Sequence, residues 1–154
     1  MAVYKLFPSQ DASIYSGYPS MNTGLDPILD VANFVTESNP VSRVARSIIQ
    51  FDQSEIENVI DSIAIVTGSG FNSWSGSLKA YVAKASNIIL NSSLEIYPVS
   101  GSWRNGTGTY LDSPITTNGC SWVSRTFSGS GGEDWDLAGW DSAGSYVTAS
   151  WSGS

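Results

Sequence analysis

An all-β fold is what the sequence predicts: a β-sandwich of jelly-roll type with one short helix near residues 54–60. Three observations carry that prediction. Short runs rich in β-branched and aromatic residues recur along the chain, separated by Gly, Pro and Asn turn chemistry. In the run 77–83, Leu78, Ala80 and Val82 alternate with Lys79, Tyr81 and Ala83, the two-residue period of a strand with one buried face. Charged residues make up only 14% of the chain, against an average of about 25%. Low charge with 15 Gly and abundant Ser and Thr suits extracellular or virion β proteins better than a helical cytoplasmic enzyme.

In chain order the expected strands are 3–7, 12–15, 28–32, 46–51, 60–67, 77–83, 94–99, 120–126 and 145–151. Turns fall at Gly17-Tyr18-Pro19, Asn22-Thr23-Gly24, Gly68-Ser69-Gly70, Gly106-Thr107-Gly108 and Asn118-Gly119. The helix rests on Ser54 and Glu57, which form a capping-box pattern, and on Ile56, Val59 and Ile60 at i, i+3 and i+4. At 154 residues, without an internal repeat or a linker, one domain spanning 1–154 is expected. A domain of that size buries roughly 70% of its unfolded surface and needs no metal or disulfide to hold it.

Absences narrow the chemistry. The chain has no histidine and one cysteine, Cys120. It therefore holds no Ser-His-Asp triad, no Cys-His pair, no His-ligated zinc and no internal disulfide. Cys120, on a strand run, reads as a small buried apolar residue. The net charge of −7, with no basic residue after Arg125, argues against nucleic-acid or anionic-membrane partners. Met1-Ala2-Val3-Tyr4-Lys5 opens no apolar leader, and no apolar run approaches a membrane span.

The candidate contact residues are aromatic. Six tryptophans (Trp74, Trp103, Trp122, Trp135, Trp140 and Trp151) accompany seven tyrosines. Flat rings stack on sugar faces while nearby Asp, Asn and Arg bond the hydroxyls, but the same rings also plug the open ends of a sandwich. Trp122 alternates with Cys120 and Ser124 and reads as core. Trp135 and Trp140 lie among acids, in Glu133-Asp134-Trp135-Asp136 and Trp140-Asp141, and are expected at least partly exposed. With Trp103 and Asp134 they form the candidate surface for a carbohydrate or protein partner.

Carboxylates admit two further readings. Glu133, Asp134 and Asp136 are locally dense enough to suggest a Ca²⁺ site, although their spacing does not match an EF-hand loop. A glycosidase pair about 5–10 Å apart is open to Asp11, Asp26, Asp30, Asp52, Asp112, Asp134 and Asp136, so none is singled out. No catalytic residue is assigned and no cofactor is required; Ca²⁺ is the one ion considered.

Five blocks, in order, resemble a known family: "FPSQDASIYSGYPSMNTGLDPILDVAN", "SRVARSIIQFDQSEI", "SLKAYVAKA", "YPVSGSWRNGTGTYLDSPITTNGCSW" and "GGEDW". They are similar to successive blocks of the DNRLRE (disaggregatase-related) β-sandwich domain, over nearly the whole chain. That resemblance implies a domain of secreted, cell-surface or polysaccharide-associated proteins, in some members a carbohydrate-binding module, and the leading expectation is a non-enzymatic role. The opening "YKLFPSQDASIYSGYPSMNTGLDPIL" most resembles structural proteins of tailed phages. It implies a virion protein acting through self-association or other virion proteins, with adhesion to host-surface glycans as a further role. The alternative is a carbohydrate-binding module of a secreted or surface protein; a polysaccharide-degrading enzyme ranks third.

The resemblance also implies that the loop Trp103-Arg104-Asn105-Gly106-Thr107-Gly108 is mainly architectural. Family members close the fold with a further strand after a Trp, whereas the sequence here reads Ser150-Trp151-Ser152-Gly153-Ser154. A final strand from a longer chain, from a neighbouring copy or from another virion protein is therefore expected.

Overall fold

The computed structural model describes residues 3–36, 39–67, 76–86, 92–99, 101–135 and 147–151. Strands dominate, gathered in small antiparallel sheets with one helix. Strands β1 (Pro8–Tyr15), β2 (Ala32–Thr36) and β3 (Asn39–Phe51) form a three-stranded sheet in the order β1-β3-β2. After helix α1 (Gln53–Thr67), β4 (Ser92–Ile96) pairs with β7 (Val147–Trp151), and β5 (Ser124–Phe127) pairs with β6 (Gly132–Asp134).

Register explains the core. Ala12 pairs with Ile48 and Ile14 with Arg46, while Ser13 pairs with Ser47 and Tyr15 with Ala45. Partners directly opposite share a face, so the β1–β3 ribbon has two inward sides. One side places Ala12, Ile14 and Ile48 against Trp103, Cys120 and Trp135, with Trp122 packed on the cluster. Arg46 also belongs to this side, its guanidinium 5.1 Å from the centre of the Trp122 ring, a cation–π contact. The other side gathers Tyr15, Met21 and Ala45, flanked by Tyr18 and Ala32. Because the 101–135 segment covers one face and the 18–25 turn the other, Ala12 to Tyr15 are all buried.

Several expected elements change. The helix continues through Thr67 where a strand over 60–67 was expected. Ile56, Val59, Ile60 and Ile63 are its half-buried apolar positions among the described side chains, and that spacing of three and four outweighs the β-branched composition of the segment. Its cap is Asp52 rather than Ser54: Asp52 Oδ1 accepts the amides of Ser54 at 2.8 Å and Glu55 at 3.2 Å. The run 77–83 forms no strand and is exposed throughout, because among the described residues no element covers its apolar side. Residues 3–7 likewise form no strand, and β1 starts directly after them. The strand expected over 28–32 begins only at Ala32. The strand expected over 120–126 shortens to β5, whose partner β6 had no period long enough to show. No described helix is long and apolar enough to cross a membrane.

Candidate binding surface

The site is built by Asn22-Thr23-Gly24. Thr23 sits beside β1 as a substitute strand partner, its hydroxyl accepting the Ser13 amide at 3.1 Å and donating to the Ser13 carbonyl. Asn22 has no exposed surface. Its Nδ2 donates to the carbonyls of Asn105 and Cys120, the latter at 2.7 Å. Its Oδ1 accepts the amides of Gly108 at 2.8 Å and Gly24 at 3.2 Å. A side-chain amide offers two donors and two acceptor sites, and all four are used. The loops here meet backbone to backbone: a Cβ on Gly24 would stand 1.9 Å from the Asn105 carbonyl oxygen. Gly106, at φ +79, would place one 2.2 Å from the Asn118 oxygen. These two positions admit only glycine.

That knot carries Tyr110 to the second face of the β1–β3 ribbon. Its ring centre lies 5.0 Å from that of Tyr15 at 51° and 6.1 Å from that of Tyr18 at 89°. Tyr15, buried beneath, donates its hydroxyl to Asp30 Oδ2 at 2.7 Å. Burial first, then that bond to Asp30, holds the Tyr15 phenol far above its ordinary pKa. Asp30 is fixed in turn, its amide donating to Ser13 Oγ at 2.8 Å and its carbonyl accepting Ser47 Oγ at 3.0 Å. Asp26 Oδ1 accepts the Tyr110 amide at 3.1 Å. The stem of Arg43 passes Gly17, whose added Cβ would meet Arg43 Cδ at 3.2 Å. Tyr110 itself is 47% exposed, and its phenol pKa is raised by burial, then by Tyr18 and Asp30.

The loop beyond Tyr110 is held by a carboxylate. Asp112 accepts the Thr109 amide at 2.8 Å, the Thr109 hydroxyl, and the Thr116 hydroxyl at 3.0 Å. Leu111 between them has φ 56, a left-handed conformation that a branched side chain rarely adopts. The hydrogen bonds from Thr109 and then Thr116 hold the Asp112 carboxyl below its ordinary 3.8. A carboxyl lowered in the folded state contributes stability that is complete above its ordinary pKa. That contribution is lost as pH falls through the folded value. The Thr109 amide shift is therefore expected to titrate with a midpoint below 3.8. A midpoint at or above that value contradicts the network.

The residues expected to make contacts are placed differently. Trp135 is 6% exposed, which overturns the expectation of an exposed ring. Its Nε1 donates to the Ser121 carbonyl at 2.7 Å and its ring joins the first cluster. The neighbouring acids do not share its burial: Glu133 and Asp134 are exposed, and Glu133 pairs with Arg125 at 2.8 Å. Trp103, 5% exposed, lies in the same cluster, so neither ring has a face free for a ligand. Asp134 accepts the Ser124 hydroxyl at 3.1 Å. Trp140, Asp136 and Trp74 lie outside the described residues. Glu133 and Asp134 are not joined by a third acid into a cation cage among the described residues. Cys120 is buried and unpaired, and burial pushes its thiol up to about 12.

Tyr15, Tyr18 and Tyr110 were not singled out in the sequence. The one local signal is the spacing of Tyr15 and Tyr18 around Gly17; nothing local ties either to Tyr110. Comparisons with protein-family models, with curated proteins and with solved structures give no match.

Proposed function

We propose that the chain is a non-enzymatic structural protein of a tailed-phage particle, a β-sandwich of jelly-roll type that works through protein–protein assembly. The observation that carries this reading is the apolar surface left open beside β1. Val3 is 80% and Phe7 74% exposed, and Leu25, Ile28 and Val31 are exposed as well. Val3 and Phe7 lie before the start of β1 and Leu25, Ile28 and Val31 near its other end, so both ends of the strand carry exposed apolar side chains that another protein can cover. The sequence resemblance to phage structural proteins supports the particle as its setting. The carboxylate of the Tyr110 loop favours a non-enzymatic role, since both oxygens of Asp112 accept hydrogen bonds within the fold.

Light scattering of the purified chain, in calcium and in EDTA, tests the assembly. The expected result is a defined oligomer or polymer whose mass EDTA does not change. A monomer at all concentrations overturns it. A second reading, a carbohydrate-binding module of a secreted or surface protein, is favoured by the tyrosine cluster.

A further inference from the structure

We propose that Tyr110, with Tyr18, Asp26, Asp30 and Arg43 around it, forms a binding site for a neutral pyranose of an oligosaccharide. The site rests on the carbohydrate-binding reading and gives it residues and a ligand class. Tyr110 is the stacking ring. It is half-exposed, yet Tyr15 braces it at 5.0 Å and Tyr18 stands against it at 89°. A ring already fixed loses little freedom when a sugar settles on it. Tyrosine also offers a flat apolar face with a polar tip, which suits a ring of C–H groups edged by hydroxyls.

The polar groups fit sugar hydroxyls. Carboxylates accept from O–H donors, and the Arg43 guanidinium donates to hydroxyl and ring oxygens. Asp26 and Asp30 are held at defined places, one by the Tyr110 amide and one by the Tyr15 hydroxyl and Ser13. The left-handed Leu111 next to Tyr110 stores backbone strain at this position, a common mark of a functional surface.

The same geometry selects among ligands. A quaternary ammonium needs space between its aromatic walls, but ring centres at 5.0 and 6.1 Å are in direct contact. An acidic sugar would meet two carboxylates in a chain of net charge −7. A neutral pyranose meets neither obstacle.

The test is an array of neutral hexose and N-acetylhexosamine oligosaccharides with oligouronates beside them, followed by calorimetry on the best binder. Wild-type protein is expected to bind neutral oligosaccharides in preference to uronates. Tyr110→Ala is expected to weaken binding at least about tenfold, and Tyr110→Phe, which keeps the ring, by much less. Asp26→Asn keeps an acceptor for the Tyr110 amide and is expected to weaken binding severalfold. In the wild type, titration with the oligosaccharide should shift the Tyr110 ring resonances and leave Trp103 and Trp135 unmoved, a readout that needs no variant. If no oligosaccharide binds, the carbohydrate-binding reading fails and the site with it. If one binds but Tyr110→Ala and the Tyr110 resonances are unaffected, the site alone is overturned. A preference for uronates overturns the ligand class.

Discussion

Asn22→Ala is expected to destabilise the fold by at least about 3 kcal/mol, more than any surface substitution in the chain. The side chain is fully enclosed and joins four backbone groups from three segments: Gly24, the Asn105 and Gly108 loop, and Cys120. Alanine leaves two carbonyls and two amides without the partner they have now. Each buried group so abandoned costs about 1–3 kcal/mol, reduced where water can enter. Asn22→Asp should be nearly as damaging, because a carboxylate would turn an oxygen toward the two carbonyls that now receive Nδ2. Urea titration measures the loss, and Cys120 reports where it occurs. Its buried thiol should be inert to thiol reagents in the native wild type and accessible in the variant under native conditions. A urea midpoint equal to that of the wild type, with Cys120 still protected, would remove Asn22 from its central place.

Trp135→Ala is expected to cost about 3–5 kcal/mol, the range for deleting a large ring from a packed core. The ring fills the first cluster between Ile14, Ile48 and Cys120, and its Nε1 is the donor to Ser121 O. Trp135→Phe separates the two contributions. It keeps most of the packing and loses one hydrogen bond, so a loss nearer to about 1–2 kcal/mol is expected. The readout is stability by urea or heat, compared with the half-exposed Tyr110→Ala, which loses only its contacts with Tyr15 and Tyr18 and should cost less, about 1–2 kcal/mol. A Trp135→Ala protein as stable as the wild type would show that the ring does not carry the core.

Core packing and the proposed recognition surface thus separate by ring type. The tryptophans described with their side chains, Trp103, Trp122 and Trp135, belong to or pack on the first cluster, whereas the half-exposed ring on the other face is a tyrosine. This division follows from β1 being covered on both sides. One face of the ribbon is closed by a long, ring-rich segment, and the other by a short turn that leaves Tyr110 at the rim.

Local chemistry alone determined much of this protein. Strand-rich character, the turn at Asn22-Thr23-Gly24, a helix starting near residue 54, Trp122 packed against the core and a buried Cys120 were all legible. Each depends on period, turn propensity or residue type within a few positions. Tertiary structure decided the rest. Whether Trp135 faced solvent depended on a pairing of β5 with β6 that three residues cannot announce. The tyrosine surface depended on Asn22 drawing the Gly108 loop onto β1, which brings Tyr110 over Tyr15. Period shows that a face exists. Only the packing of segments distant in sequence determines what that face meets.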